Sequence, residues 1–342
     1  MRILYIGNTQ GFSNPDKYYF TPEKLMNGFT RIGHMVYAFN DRDYARYSNI
    51  LRSQKFGKKK LNTHILSICK KFEPEMIVLG HCKNIENETL DEMREICPGV
   101  KIIYRNVDPL NSKANVAEIN QRVGSTDAIF ITTAGDGLKQ FSHPKTKISF
   151  MPNPVDPAVE NVCAFNNPNT DIDFLFLGSA LRDQDDHRAR TVDYLQSNKG
   201  DMNFHIAGVD NANDKVFGAA YYKMLERSKT GLCMNKTEDY YLYASGRMSQ
   251  YMASGILAFI PKGPNFEDIF DDDCFITTEN DEDLLDKIRF YVQNDEERIR
   301  IAKNGYEKIR DYFDVEKVCQ YIIETTFEQP LSQDYKWPTA VC

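Results

Sequence analysis

The stretch ASGRMSQYMASGILAFIP, residues 244–261, places a helix directly before a buried strand. Small residues at 244–246 form a turn, and a helix-compatible run follows as far as Gly255. An apolar run over 256–260 comes next, and Pro261 ends it. Helix, glycine, buried strand and proline together make half of a βαβ unit. The stretch therefore predicts a parallel sheet with helices on its faces.

The same alternation of short apolar runs and amphipathic stretches repeats along both halves of the chain. In the first half, the predicted strands are 2–7, 35–40, 76–80, 101–106, 128–133 and 147–152, and the predicted helices include 21–34, 61–72 and 87–97. In the second half, the predicted strands are 172–178, 203–208, 230–235, 256–261 and 274–278, and a helical tail runs from 281 to about 329. The first helix is predicted to have Thr21 as N-cap and Pro22 at its first position.

A proline-rich stretch, 151–173, separates the halves and predicts a stiff linker. We therefore expect an α/β fold of two Rossmann-like, doubly wound parallel-sheet domains that face each other across a cleft. Their ligands should bind at the carboxyl ends of the strands. The predicted bounds are 1–152 and 172–313 for the domains, 153–171 for the linker, and 314–342 for a C-terminal helix and tail packing back on the first domain.

Composition excludes several classes of protein. The chain has 342 residues, a net charge of −7 and a pI near 5.5, which argues against a nucleic-acid binder. Its eight cysteines are scattered without a CxxC pair, so we expect reduced thiols, no zinc site and a cytoplasmic setting. The N-terminus MRILYIGN is too short and polar for a signal peptide, and no apolar run reaches bilayer length. The protein should be soluble, or at most peripheral to a membrane; the oligomeric state stays open.

Two common phosphate motifs are missing from the sequence. Neither G-x-G-x-x-G nor G-x-x-x-x-G-K-[ST] follows the first predicted strand, which disfavours dehydrogenases and P-loop enzymes. Gly7 and Gly11 in IGNTQG could still let the backbone approach a ligand. A tight strand-to-helix turn explains them equally well.

Arginines follow the first strand of the second half. Gly178 and Ser179 open that loop, and Arg182, Arg188 and Arg190 come next. A guanidinium at the carboxyl end of a strand suits a phosphate, because it offers paired N–H donors. The alternative is a solvated helix start whose neighbouring aspartates are salt partners.

The turn at 244–246 also suits a phosphate. Free N–H groups of Ser245 and Gly246 at a helix N-terminus favour an anion, and Arg247 would add a formal charge. Gln250 lies on the same helix face, where an amide suits sugar hydroxyls; capping of the helix start is its alternative role. Asn235, after the preceding strand, is predicted to join this donor site.

Three further residues are candidates on loops after strands. His81 and Asp108 follow the strands 76–80 and 101–106, where a general base would lie. A structural histidine and a turn before a proline are the respective alternatives. Glu238 belongs to a long loop, 236–246, that could cover a ligand.

Residues 245–255 also carry a resemblance. They follow approximately the pattern S-x-R-x-x-E-x-x-A-x-G, and the segments 172–195 and 266–313 keep the same layout. The stretch from about 172 to 325 thus resembles the donor-binding domain of GT-B glycosyltransferases, in particular the group similar to CgeB spore-maturation proteins. The resemblance implies a nucleotide-sugar held by the second domain, with Arg247 and its turn at the diphosphate and position 250 at the ribose or sugar. This chain departs by having Gln250 where the family has glutamate, and Leu242 where many retaining members have a second one.

The expected activity is therefore that of a metal-independent glycosyltransferase without a cofactor. It would move a sugar from a nucleotide-sugar, with UDP as the expected nucleotide, to a hydroxyl of a saccharide or lipid-linked acceptor of the bacterial surface polysaccharide type. Asp108 or His81 would be the base if the enzyme inverts. The alternatives are a nucleotide-sugar epimerase and a non-catalytic nucleotide-sugar binding subunit. The expected location is the cytoplasm, or the inner face of the membrane.

Overall fold

The computed structural model describes residues 1–11, 15–16, 18–180, 186–210, 214–271 and 273–342. Within them the chain forms two compact units. The first unit contains Met1–Pro154 and Val315–Cys342, and the second contains Val155–Asp314. The C-terminal helix and tail therefore belong to the first unit.

The first unit is built on a parallel sheet. Its strands, in the described part of the chain, are β1 (Arg2–Gly7), β2 (Met35–Asn40), β3 (Met76–Gly80), β4 (Lys101–Asn106), β5 (Ala128–Ile131) and β6 (Lys147–Phe150), in the order β2-β1-β3-β4-β5-β6. All neighbours pair in parallel. Because β2 and β3 lie on opposite sides of β1, the winding reverses there, and a crevice for a ligand is expected between the ends of β1 and β3.

Helices cover this sheet. They are α1 (Thr21–Arg31), α2 (Asp41–Tyr47), α3 (Gln54–Phe72), α4 (Asn87–Ile96), α5 (Lys113–Arg122) and, from the C-terminal segment, α11 (Val315–Phe327). The N-cap of α1 is Phe20, with extended backbone, so the prediction of Thr21 as cap was wrong by one residue. The helix α3 begins seven residues before the predicted start at 61, because KFGKKK is a solvent-facing turn of helix rather than a loop.

The second unit repeats the scheme. Its described strands are β7 (Ile172–Ala180), β8 (Phe204–Val209), β9 (Ser228–Leu232), β10 (Leu257–Pro261) and β11 (Ile276–Thr278), all parallel, in the order β11-β10-β9-β7-β8. Its helices are α6 (His187–Asn198), α7 (Gly218–Glu226), α8 (Gly246–Ala253), α9 (Asp281–Gln293) and α10 (Asp295–Tyr312). Here the winding reverses between β7 and β9. The predicted α/β class with two parallel sheets is confirmed.

Apolar strands explain why each sheet is sandwiched. In the second unit, Phe174, Phe176, Leu257 and Phe259 are fully buried and pack in one cluster with residues of α6, α9 and α10. Burying such side chains stabilises the unit by about 2 kcal/mol each relative to exposure. No helix in the described part of the chain has the length and apolar character needed to cross a membrane.

Candidate active site

Arg247 joins the ends of two strands in the second unit. Its Nη1 donates to the carbonyl of Leu177 in β7 at 2.8 Å, and its Nη2 donates to the carbonyl of Met234, just after β9, at 2.5 Å. The guanidinium lies over the ring of Phe176, 5.0 Å from its centre. The side chain is only 9% exposed. Arg247 therefore links β7 and β9 at the point where the winding of the sheet reverses.

Gly178 makes room for that guanidinium. A Cβ built on Gly178 would lie 2.6 Å from Nη1 of Arg247 and 2.7 Å from the ring of Phe176. Real Cβ atoms do not approach other atoms so closely, so a larger residue would displace the arginine. The glycine predicted as part of a phosphate loop has this second, packing role.

Asn235 organises the loop before α8. Its Oδ1 accepts a hydrogen bond from the backbone N–H of Ser245 at 2.9 Å. Its Nδ2 donates to Glu238 at 2.7 Å and to the carbonyl of Tyr243 at 3.2 Å. With 2% exposure, Asn235 has its donors and acceptor committed to protein groups. This side chain positions the N-terminus of α8.

The N-terminus of α8 is open at Gly246. Ser245 is the N-cap residue, but its hydroxyl makes no capping hydrogen bond, and its buried Oγ has no partner among the described residues. A Cβ on Gly246 would meet nothing within 4 Å. N–H groups and a hydroxyl that have no hydrogen-bond partner at a helix start favour the binding of an anion.

Gln250 bonds to a residue that the sequence did not single out. Its Oε1 accepts from the hydroxyl of Tyr221 on α7 at 2.7 Å. Its amide NH₂ has no partner among the described residues and remains able to donate. The capping role considered for Gln250 is wrong, since the backbone N–H of Ser245 is bound by Asn235 instead.

Glu238 lies in the second unit, beside the predicted donor residues. Both carboxylate oxygens accept from Asn235, at 2.6 Å from its backbone N–H and 2.7 Å from its side chain. Burial raises the pKa of Glu238, and these hydrogen bonds and the charges of Arg247 and Arg188 oppose the rise. Gly7 and Gly11, the other residues predicted to lie near a ligand outside the donor site, are in the first unit.

Arg188 has a carboxylate partner. Its guanidinium donates to Asp186 at 2.6 and 2.9 Å and to the carbonyl of Ser179 at 2.5 Å. Although burial alone would raise the pKa of Asp186, the bonds from Arg188 hold that pKa below its ordinary value. The salt-partner alternative thus describes Arg188. Arg182 lies outside the described residues.

A cavity of about 600 Å³ opens beside these residues in the second unit. Its walls come from the start of α6, the loop after β9 and the residues that follow β10 and β11. They include His187, Thr191, Met234, Glu238, Lys262 and Asp281. Thr191 donates to Asp281 at 2.7 Å, and Lys262 pairs with Glu279 at 2.9 Å. Polar walls at the carboxyl ends of strands suit a nucleoside-sized polar ligand.

The structure brings His81 and Asp108 together in the first unit. Nδ1 of His81 lies 3.8 Å from Oδ2 of Asp108, and Nε2 of His81 accepts from the backbone N–H of Val107 at 3.5 Å. Burial, with the charges of Arg105, Arg42 and Lys83, lowers the pKa of His81 to about 3. His81 is therefore neutral at physiological pH, with its acceptor nitrogen turned to the backbone. Asp108, 60% exposed in its side chain, is the better placed of the two as a base.

Arg105 is a buried cation that the sequence analysis missed. It lies near the end of β4 and is 3% exposed. Its Nε donates to the hydroxyl of Tyr5 at 2.6 Å. Among the described residues it has no carboxylate partner. Burial raises the pKa of Tyr5 to about 12, so Tyr5 stays neutral and leaves the charge uncompensated. The strand-end position of Arg105 in KIIYRN was the available signal.

Gly7 ends β1, where it pairs in register with Gly80 of β3. Gly11 lies beside Asn40 and Asp43, at the start of α2. Both therefore belong to the carboxyl edge of the first sheet, where the predicted role of approaching a ligand stays a prediction. No group of His, Cys, Asp or Glu in the described residues has the arrangement of a metal site.

Comparison with solved structures identifies the fold. Sucrose-phosphate synthase from Thermosynechococcus elongatus is 11% identical, with a TM-score of 0.59 over 96% of this chain and 99% of that one. HepE from Anabaena in complex with UDP-glucose is 12% identical, with a TM-score of 0.60 over 96% and 100% of the two chains. A glycosyltransferase from Rickettsia africae is 11% identical, with a TM-score of 0.58 over 96% and 98%. The fold is that of the GT-B glycosyltransferases.

A family model matches part of the chain. Residues 187–324 match the family model described as glycosyl transferase-like. No curated protein matches the chain. The matched segment is similar to glycosyltransferases, and the fold of the chain is the GT-B fold. The CgeB-like subgroup stays a prediction.

Proposed function

We propose that the protein transfers a sugar from a UDP-sugar to a hydroxyl of a saccharide or lipid-linked acceptor, as in the synthesis of bacterial surface polysaccharides. The observation that carries the proposal is the open N-terminus of α8, fixed by Asn235, whose hydrogen-bond partner Glu238 lines the 600 Å³ cavity. The HepE neighbour was solved with UDP-glucose, which supports a UDP-sugar as donor.

The diphosphate is proposed to bind at the start of α8. The backbone N–H groups of Gly246 and Arg247 and the hydroxyl of Ser245 would donate to it, and the helix dipole favours its charge. Arg247 contributes positive potential while its guanidinium holds the strand ends. In the reaction the bond from the sugar to the diphosphate breaks, so charge develops where these donors are already oriented.

The sugar or ribose is proposed to meet the NH₂ group of Gln250. Its carbonyl oxygen is occupied by Tyr221, so the amide is oriented and presents donors only. A hydroxyl of the ligand would accept from it. Glu238, with its raised pKa, would complete the polar wall on the cavity side.

The acceptor is proposed to bind the first unit, at the carboxyl edge of its sheet. If the reaction inverts, Asp108 accepts the proton of the acceptor hydroxyl, and His81 orients Asp108 through Nδ1. Metal independence remains part of the proposal: protein donors and a helix start would supply the positive charge.

Nucleotide binding tests the proposal. UDP at 100 times its dissociation constant should stabilise the protein by about 2.7 kcal/mol, which raises the melting temperature of a unit this size by roughly 5–10 °C. ADP, GDP and CMP are the comparison. Release of sugar from UDP-sugars, measured with and without acceptors, then shows transfer. No shift with any nucleotide would contradict the proposal.

A non-catalytic nucleotide-sugar binding subunit is the second candidate. The neutral Gln250, already bonded to Tyr221, favours it, because no carboxylate is available at this position. Binding of UDP-sugars without hydrolysis or transfer across a broad acceptor panel would select this candidate.

A further inference from the structure

The tip between α2 and α3 exposes large apolar side chains. Ile50 is fully exposed, Leu51 is 70% exposed, Phe56 62% and Tyr47 49%. Four such residues within ten positions form a patch rather than scattered surface residues. Their burial against something outside the chain would be favourable.

Basic residues surround this patch. Residues 44–72 contain eight lysines and arginines and no aspartate or glutamate, in a chain of net charge −7. We define the α2–α3 tip as the apolar residues with the exposed basic ones between them: Tyr47, Ile50, Leu51, Arg52, Lys55, Phe56, Lys59 and Lys60. Of the neighbouring cations, Lys58 pairs with Glu86 at 2.9 Å and Arg46 lies 4.0 Å from Asp43.

Hydrogen bonds within the turn hold these side chains in their exposed positions. Asn49 donates through Nδ2 to the carbonyls of Ala45 and Ser53, both at 2.8 Å, and its Oδ1 accepts from the backbone N–H of Ser53 at 3.1 Å. Lys60 donates to the carbonyl of Ser48 at 3.1 Å. These bonds close the loop around Asn49 and leave Ile50 and Leu51 at its apex.

The two helices are locked below the tip. Gly57 on α3 contacts the backbone of Ala45 on α2 so closely that a Cβ would clash with its carbonyl. Ala45 is fully buried. The apolar residues are therefore held outward by a packed hairpin and do not need to rearrange before they meet a partner.

We propose that the α2–α3 tip docks the protein on an anionic lipid bilayer. Ile50, Leu51 and Phe56 enter the boundary between headgroups and acyl chains, while Arg52, Lys55 and Lys59 contact lipid phosphates. Amphipathic surfaces with an apolar apex and a basic surround bind membranes in this way, and affinity depends on both components.

The charge of the tip favours a bilayer over a protein partner or bulk water as the occupant of this surface. A solvated basic face has no reason to carry four exposed apolar residues at its centre. A net negative protein would be repelled from an anionic bilayer, and the exposed basic residues of the tip, Arg52, Lys55, Lys59 and Lys60, reverse that repulsion locally. This surface goes beyond the proposed transfer reaction and does not depend on it.

Vesicle flotation tests the proposal with the full chain. Vesicles of phosphatidylcholine with 30% phosphatidylglycerol are compared with vesicles of pure phosphatidylcholine. Each is tested at a low and a high salt concentration, at which the Debye screening length is roughly 10 Å and 3 Å. The protein should float with the anionic vesicles at low salt, float much less at high salt, and stay unbound with the neutral ones.

Two variants separate the components. The triple change Ile50→Ser, Leu51→Ser, Phe56→Ser should lower binding at least about tenfold. The triple change Arg52→Gln, Lys55→Gln, Lys59→Gln should lower it about a hundredfold, since each basic group near the surface contributes about fivefold.

Matched controls change the same chemistry elsewhere. Phe290→Ser removes an exposed aromatic from α9, and Lys145→Gln, Lys303→Gln, Lys336→Gln removes three exposed lysines. Both should bind like the unchanged protein, and all variants should melt alike because the altered side chains are exposed.

Three results would overturn the proposal. One is failure of the unchanged protein to float with anionic vesicles; another is equal binding by the apolar variant and the unchanged protein. The third is a dimer in light scattering that the apolar variant abolishes, with no vesicle binding, which would make the tip an interface between copies. Transfer activity on a soluble acceptor is measured in parallel, and it should be unchanged by the tip variants.

Discussion

Arg247 in the second unit and Arg105 in the first are both buried guanidiniums at the carboxyl end of a parallel sheet, and their partners differ. Arg247 donates to two backbone carbonyls on different strands, so its loss would leave buried acceptors unpaired. Arg105 donates to one neutral hydroxyl, on Tyr5. The same residue type is thus part of the framework in one unit and an uncompensated charge in the other.

This difference corresponds to two ways of preparing a site. In the second unit the loop, the helix start and the strand ends are already fixed by Asn235 and Arg247, so a ligand meets oriented donors. In the first unit burial and, next, the charge of Arg105 lower the pKa of His81, and Arg105 has no carboxylate partner among the described residues. Substitution of Arg247 should therefore mainly lower the unfolding free energy, whereas substitution of Arg105 should mainly change the titration of His81.

Arg247→Ala should have the largest effect. The carbonyls of Leu177 and Met234 lose their donor in a buried site, which costs about 3 kcal/mol of unfolding free energy. Urea unfolding measures the loss, and Arg247→Lys, which keeps one donor, should recover part of it. If the unfolding free energy were unchanged, Arg247 would not stabilise the strand ends, and direct contact with phosphate would be its only remaining role.

Gly178→Ala should come next, at about 2 kcal/mol, because the new methyl group meets Arg247 and Phe176. Gly246→Ala is the matched control. It has open space around its Cβ and removes a helical glycine, so it should be neutral or stabilise α8 by about 0.5 kcal/mol. Equal effects of the two substitutions in thermal melts would refute the packing role of Gly178.

Tyr221→Phe should cost about 1 kcal/mol, the usual contribution of one hydrogen bond. The freed Oε1 of Gln250 should also alter the affinity for the donor in a titration with UDP-sugar. Gln250→Glu keeps an acceptor for Tyr221, so it should change donor affinity while leaving stability nearly constant. A donor titration identical to that of the unchanged protein would show that position 250 does not meet the ligand.

Arg105→Met should change stability least, within about 1 kcal/mol, because an uncompensated buried charge gives way to an apolar chain. The titration of His81 should move instead. Its folded pKa of about 3 lies below the ordinary 6.5, so the unfolded state binds more protons in between, and stability falls as the pH drops through that window. The variant should raise the pKa of His81 in an NMR titration and lessen that acid loss.

Failure of this prediction has a clear form. If the pKa of His81 stays where it was in Arg105→Met, burial and the other two cations account for the low pKa, and the charge of Arg105 does not contribute to it. Lys83→Met is the control, since Lys83 is the weakest of the three cations acting on His81.

Strands were the most predictable part of the fold. β1, β3 and β4 have the bounds that their apolar runs predict, because a strand buried on both faces is apolar from end to end. Helix starts were less predictable. α1 begins one residue earlier than predicted, at Thr21, and α3 begins at Gln54, just before a lysine-rich stretch that carries no apolar period.

For the site, residue types could be predicted but their partners could not. The sequence selects Arg247 and Gln250 because of their place at a helix start. It does not reveal that Arg247 reaches a carbonyl 70 positions away, or that Gln250 meets Tyr221 on another helix. Such partners depend on the order of strands in the sheet, which local patterns do not encode.

The bond between Tyr221 and Gln250 has an evolutionary consequence. A tyrosine hydroxyl can donate to an amide oxygen or to a carboxylate, so the contact between α7 and α8 survives either residue at position 250. Glutamine and glutamate codons differ by a single base. The charge at this position can therefore be inherited, lost or regained within a lineage in one mutational step, with the scaffold left intact at each stage.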